Sequence, residues 1–117
     1  MNRFFGHKEQ GTIAEVTPQE VQQRLARNES LLLLDVREPP EYADAHIAGS
    51  MLIPLGQLSL RLNELPRDQP IITVCRSGNR SGVAARLLAR AGFPPVQNLR
   101  GGIVAWARGG LPLQRGR

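Results

Sequence analysis

Apolar positions along this chain change period several times, and each change predicts an element. Thr17-Pro18-Gln19-Glu20 reads as a capping box with proline at the first helical position, and Val21 and Leu25 give the helix one apolar face to about Arg27. Leu31-Leu32-Leu33-Leu34-Asp35-Val36 is a continuous apolar run with a charged edge, the pattern of a strand buried on both faces. Glu38 to Asp44 suits a short helix with Pro39 and Pro40 near its start, and 46–50 reads as a loop. Met51-Leu52-Ile53 is a short strand ended by Pro54. Leu55, Leu58, Leu62 and Leu65 follow helical spacing up to Pro66. Ile71 to Val74 is a second buried strand. Ala84, Leu87, Leu88 and Ala91 share one helical face, with Gly92 placed as its C-terminal cap. Val96 to Leu99 is a last short strand, and Gly101-Gly102 opens a final helix carrying Trp106. Strands alternating with helices predict an α/β fold, a parallel sheet covered on both faces.

At 117 residues one domain is expected, large enough to bury a core without disulfides or metals. One cysteine and two histidines make a poor metal set. No apolar run approaches the length that crosses a bilayer, and the first residues show no signal peptide, so a cytoplasmic, reducing setting is expected. Residues 1–15 are polar and mixed, and are expected to be an extended or loosely attached segment, with the domain at 16–113 and a tail at 114–117. The net charge of +5 comes mostly from scattered arginines, Lys8 being the sole lysine. Without a basic block or many aromatics, a solvated basic surface is favoured over nucleic-acid binding, leaving a weak bias toward anionic small substrates.

The chemistry concentrates at Cys75, the one cysteine, in Val74-Cys75-Arg76-Ser77-Gly78-Asn79-Arg80-Ser81. A strand-loop-helix junction aims backbone N–H groups at one spot, at the positive end of the next helix. Arg76 and Arg80 belong to the same loop, and a thiol held there ionises below its free value. A lone cysteine is ordinarily a small buried hydrophobe; the two arginines, Gly78 and the junction favour a thiolate nucleophile facing an anion site. Asp35, ending another strand, falls on the same crevice side of the sheet. For Asp35 and Arg37 structural roles are favoured, a loop anchor and a salt bridge. His46 is expected to hold a loop by hydrogen bonds, and Trp106 to be core or a shield over the site.

Three stretches together resemble the single-domain rhodaneses, the thiosulfate sulfurtransferases. They are Leu34 to Tyr42 with His46-Ile47-Ala48-Gly49-Ser50, Cys75 to Ser81, and Gly101-Gly102-Ile103-Val104-Ala105-Trp106 with Gly110-Leu111-Pro112. Ala45 and Ser50 depart from the family's usual residues, away from the proposed chemistry. The resemblance implies a rhodanese-like fold with a five-stranded parallel sheet, and a reactive loop of six residues, Cys75 to Arg80. Related phosphatases and arsenate reductases carry one residue more before the arginine, and position 81 here is Ser81.

The resemblance further implies double displacement. Cys75 takes the sulfane sulfur of thiosulfate or a similar donor as a persulfide, then gives it to cyanide, a thiol or a protein acceptor. The amides from Arg76 through Ser81 (Arg76, Ser77, Gly78, Asn79, Arg80, Ser81) cradle the terminal sulfur, and Arg76 and Arg80 hold the donor's sulfonate. No cofactor, metal, nucleic acid or membrane is expected to take part. The alternatives are a persulfide carrier or binding module working with a protein partner, and a phosphatase or arsenate reductase, against which the loop length argues.

Overall fold

The chain's computed structural model describes residues 13–116, so most of the expected N-terminal segment and Arg117 lie outside the described residues. Five strands make one sheet: β1 (Glu15–Val16), β2 (Leu32–Asp35), β3 (Met51–Leu52), β4 (Ile71–Val74) and β5 (Val96–Leu99). Their order is β1-β5-β4-β2-β3, and every pairing is parallel. The helices are α1 (Pro18–Ala26), α2 (Pro39–Asp44), α3 (Leu55–Leu58), α4 (Asn79–Arg90) and α5 (Gly102–Arg108).

Each face of the sheet carries its own core, as side-chain alternation along a strand requires. Leu34 and Ile71 pack with Leu58, Ala84 and Leu88 on the α3/α4 side, whereas Leu33, Ile72 and Val74 pack with Val21, Ile103 and Trp106 on the α1/α5 side. The same parity sends Cys75 to the α3/α4 side, where it joins that core.

Local signals explain the helix ends. Thr17 and Glu20 close both halves of the capping box on α1, at 2.8 and 3.1 Å. Gly92, at φ +84°, ends α4 with bonds from its own amide to Ala89 and from Phe93 to Leu88.

Three expectations change. Leu55 to Leu65 is not one helix: after Leu58 the chain tightens into i→i+3 bonds (Arg61 to Leu58, Glu64 to Arg61, Leu65 to Leu62) and a 3₁₀ turn at Leu62–Glu64. The leucine spacing reports burial rather than hydrogen bonding, since Leu58 and Leu65 are still buried. Glu15, expected in a loose segment, pairs with Asn98 at the sheet edge. The chain end is tied as well: Gln114 exchanges backbone bonds with His46 at 2.8 and 2.9 Å, and Gly116 donates to Ala43. Among the described residues, no helix is long and apolar enough to cross a membrane, and no cluster of His, Cys, Asp or Glu could hold a metal.

Candidate active site

Parallel strands place their carboxyl ends on one edge, and there β4 ends at Val74, one residue before Cys75. The chain then turns through Arg76, Ser77 and Gly78 into α4. Gly78 stands at φ +111° at the helix start, a backbone conformation that side chains disfavour. This bend swings its amide back onto Cys75 Sγ, 3.1 Å away. The Ser81 hydroxyl, in the first turn of α4, approaches the same sulfur at 3.2 Å.

The thiol expected to face an anion site is more enclosed than the sequence suggests. Cys75 is only 1 % exposed, packed into the α3/α4 core. Burial pushes the thiol's pKa up. Hydrogen bonds from the Ser81 hydroxyl and from the amides of Ser81, Gly78 and Ser77 outweigh that and hold it below the ordinary thiol value.

Asn98 and Thr73, paired across β4 and β5, back this arrangement. Both are buried on the Cys75 side. Asn98 Oδ1 lies 2.6 Å from Ser81 Oγ, and its Nδ2 donates to the Gly78 carbonyl at 3.0 Å. Thr73 Oγ1 donates to the Ser81 carbonyl at 2.9 Å. Neither residue stood out in the sequence. The signal was available: a polar residue near the carboxyl end of a buried strand, with the parity of Cys75.

From the other side, α5 holds the start of the loop. The amides of Ile103 and Val104 donate to the carbonyls of Cys75 and Arg76 at 2.9 and 3.1 Å. Gly102, at φ +58°, permits this approach, since a Cβ there would collide with the carbonyl oxygens of Cys75 and Arg76.

The two loop arginines differ. Arg76 is exposed and makes no salt bridge among the described residues. Arg80 grips Glu41 of α2 through two bonds of 2.8 and 2.9 Å. That guanidinium draws the Glu41 carboxyl down to about 2, while Glu41 raises Arg80. Asn79 is exposed and lines a groove of about 620 Å³ with Gly78, Arg86 and Asn98; Ser77 lines another of about 520 Å³ with Gly101, Val104 and Arg108. The loop thus has an open groove on each flank, each with an arginine on its wall. A third cavity, about 350 Å³ and more apolar, lies away from the thiol beside Pro39, Tyr42 and Leu52.

The remaining residues singled out in the sequence do not touch the sulfur. Asp35 and Arg37 form a buried ion pair, with bonds of 2.9 to 3.2 Å, and Arg37 also donates to the Ala45 carbonyl at 2.7 Å. His46 is buried, stacked 3.8 Å from Tyr42, with Nδ1 on the Tyr42 carbonyl and Nε2 facing the Gln114 amide. The carbonyl accepts only, so Nδ1 donates to it. Trp106 is buried in the α1/α5 core, its indole N–H on the Pro112 carbonyl.

The fold has counterparts among known proteins. Residues 17–108 match the family model described as a rhodanese-like domain. A sulfurtransferase of Allochromatium vinosum is 42 % identical over 101 residues, spanning 86 % of this chain and 94 % of the relative. Thiosulfate sulfurtransferase GlpE of Actinobacillus pleuropneumoniae is 30 % identical over 103 residues, spanning 88 % and 94 %. The crystal structure of a rhodanese-related protein from Thermoplasma volcanium superposes with a TM-score of 0.80 at 30 % identity, over 86 % of this chain and 97 % of that one.

Proposed function

This chain belongs to the rhodanese-like domain family, with sulfurtransferases among its relatives, and from that premise we propose that it moves sulfane sulfur through a persulfide on Cys75, with thiosulfate as donor. The observation that carries this reading is the ring of donors on one sulfur: the Gly78 amide at 3.1 Å and the Ser81 hydroxyl at 3.2 Å, at the head of α4.

The steps balance without a cofactor. Cys75 thiolate attacks the outer sulfur of thiosulfate; a new S–S bond forms, the bond to the sulfonate sulfur breaks, and sulfite leaves with the electron pair. The charge then rests on the terminal sulfur, for which the amides of Arg76, Ser77, Gly78, Asn79, Arg80 and Ser81 are the available donors. Donors fixed before reaction cost no reorganisation as charge develops. Arg76 takes the sulfonate. Arg80, already paired with Glu41 through two bonds, contributes less than its place in the loop suggests. Cyanide or a thiol, free or on a protein, attacks the terminal sulfur and releases the Cys75 thiolate. Arg37, Asp35, His46 and Trp106 support the scaffold.

Steady-state turnover of thiosulfate with cyanide tests the reading, beside p-nitrophenyl phosphate as a control. Continuous thiocyanate formation with no phosphate release supports it. A single loading followed by arrest identifies a carrier that needs a protein partner, and faster phosphate release identifies a phosphatase.

A further inference from the structure

Ser81 has one hydroxyl proton and two acceptors. Its Oγ lies 2.6 Å from Asn98 Oδ1 and 3.2 Å from Cys75 Sγ. The orientation of the Asn98 amide is set by its other end, where Nδ2 meets the Gly78 carbonyl at 3.0 Å; the flipped amide would set two acceptors against each other. Asn98 is 5 % exposed, so an unpaired oxygen there is costly.

The geometry points to Asn98 as a positioning residue that governs the charge on Cys75 through the Ser81 proton. This rests on the reading of Cys75 as a thiolate that becomes a persulfide. With Sγ neutral, the Ser81 hydroxyl donates to Asn98, and in the thiol form the S–H donates to Ser81, so all partners are satisfied. With Sγ anionic, the Ser81 proton turns to sulfur and Asn98 Oδ1 loses its donor. Thr73 Oγ1, the other hydroxyl nearby, stands 3.5 Å from Oδ1 and already serves the Ser81 carbonyl at 2.9 Å. Once the persulfide forms, charge moves to the terminal sulfur, Sγ is neutral again, and the proton returns to Asn98. Asn98 thus favours the loaded cysteine over the empty thiolate.

Charged groups around the loop do not replace this device. Asp35 is paired with Arg37 at the end of β2, and Arg80 of α4 with Glu41 of α2. Arg86 lies further along α4 in the groove beside Asn98, and Arg76 is exposed on the loop itself.

Two measurements test the inference: the ultraviolet titration of the Cys75 thiolate, and the ratio of loaded to unloaded protein, by intact mass, at a fixed thiosulfate-to-sulfite ratio. Asn98→Leu, close to asparagine in size, removes the competing acceptor. It is expected to lower the thiolate midpoint by about one pH unit and the loaded ratio about tenfold, the effect of one hydrogen bond. Both changes vanish in a Ser81→Ala background. A residue that merely props up Gly78 moves the midpoint upward, or moves it equally with and without the Ser81 hydroxyl, and either result overturns the inference. Should the variant not fold, the wild-type protein still answers by NMR: the Asn98 side-chain amide carbon follows the Cys75 titration, and in Ser81→Ala it does not. An amide signal that stays constant in the wild type is contrary. Loading without this coupling defeats the inference alone; the coupling without any loading defeats the proposed function and leaves the inference standing for the thiol.

Discussion

Arg80 and Glu41 lock the start of α4 to α2, their guanidinium and carboxylate joined by two bonds of 2.8 and 2.9 Å across 39 residues of sequence. Glu41 Oε1 also accepts the Glu38 amide at 3.0 Å, so one carboxylate caps α2 and anchors the Cys75 loop through Arg80.

The first prediction follows from its depressed pKa. A carboxyl bound more tightly as its anion in the folded chain stabilises the fold fully above its ordinary value, 4.5, and loses that contribution as pH falls toward about 2. Thermal unfolding of wild type and Glu41→Gln is therefore expected to differ above pH 4.5 and to converge near pH 2. The variant also unmasks Arg80, and its KM for thiosulfate is expected to fall about two- to fivefold at low salt, an advantage that added salt removes.

A second prediction concerns the buried pair behind the loop. Arg37 and Asp35 side chains are 5 % and 1 % exposed. Asp35→Ala strands the guanidinium without its partner and is expected to destabilise the fold by about 3–5 kcal/mol. Replacing both residues, as in Asp35→Leu with Arg37→Met, recovers much of that loss in urea unfolding. Equal stability of the single and double variants would contradict the ion-pair account.

The third concerns Gly102. A methyl group there meets the backbone of Cys75 and Arg76, which cannot swing away as a side chain would. Gly102→Ala is expected to cut sulfur loading at least tenfold. Gly110 also has a positive φ, +76°, but with open space around it, so Gly110→Ala carries only the backbone strain of about 1–2 kcal/mol. Loading rates of the two variants at matched folded fraction check this.

The fold was legible where local chemistry and burial agree. Thr17 and Glu20 mark a helix start by themselves, and Leu32 to Asp35 needs no partner to announce a buried strand. Leu55 to Leu65 misled because a stripe of leucines measures which residues face the core, and 3₁₀ turns present such a stripe too. Glu15–Val16 is too short to show a period and is a strand only because β5 lies beside it. At the site, Cys75, Gly78 and Ser81 were readable from one contiguous loop. Glu41 and Asn98 were not, because each reaches the loop from a separate element, and Arg80 changes meaning once Glu41 is opposite it.

Intact-mass analysis after incubation with thiosulfate reads sulfur loading of Cys75 itself. A gain of one sulfur, about 32 Da, removed by cyanide or dithiothreitol and lacking in a folded Cys75→Ser variant, is expected. A wild-type mass unchanged by thiosulfate, or a gain that persists in Cys75→Ser, would contradict it.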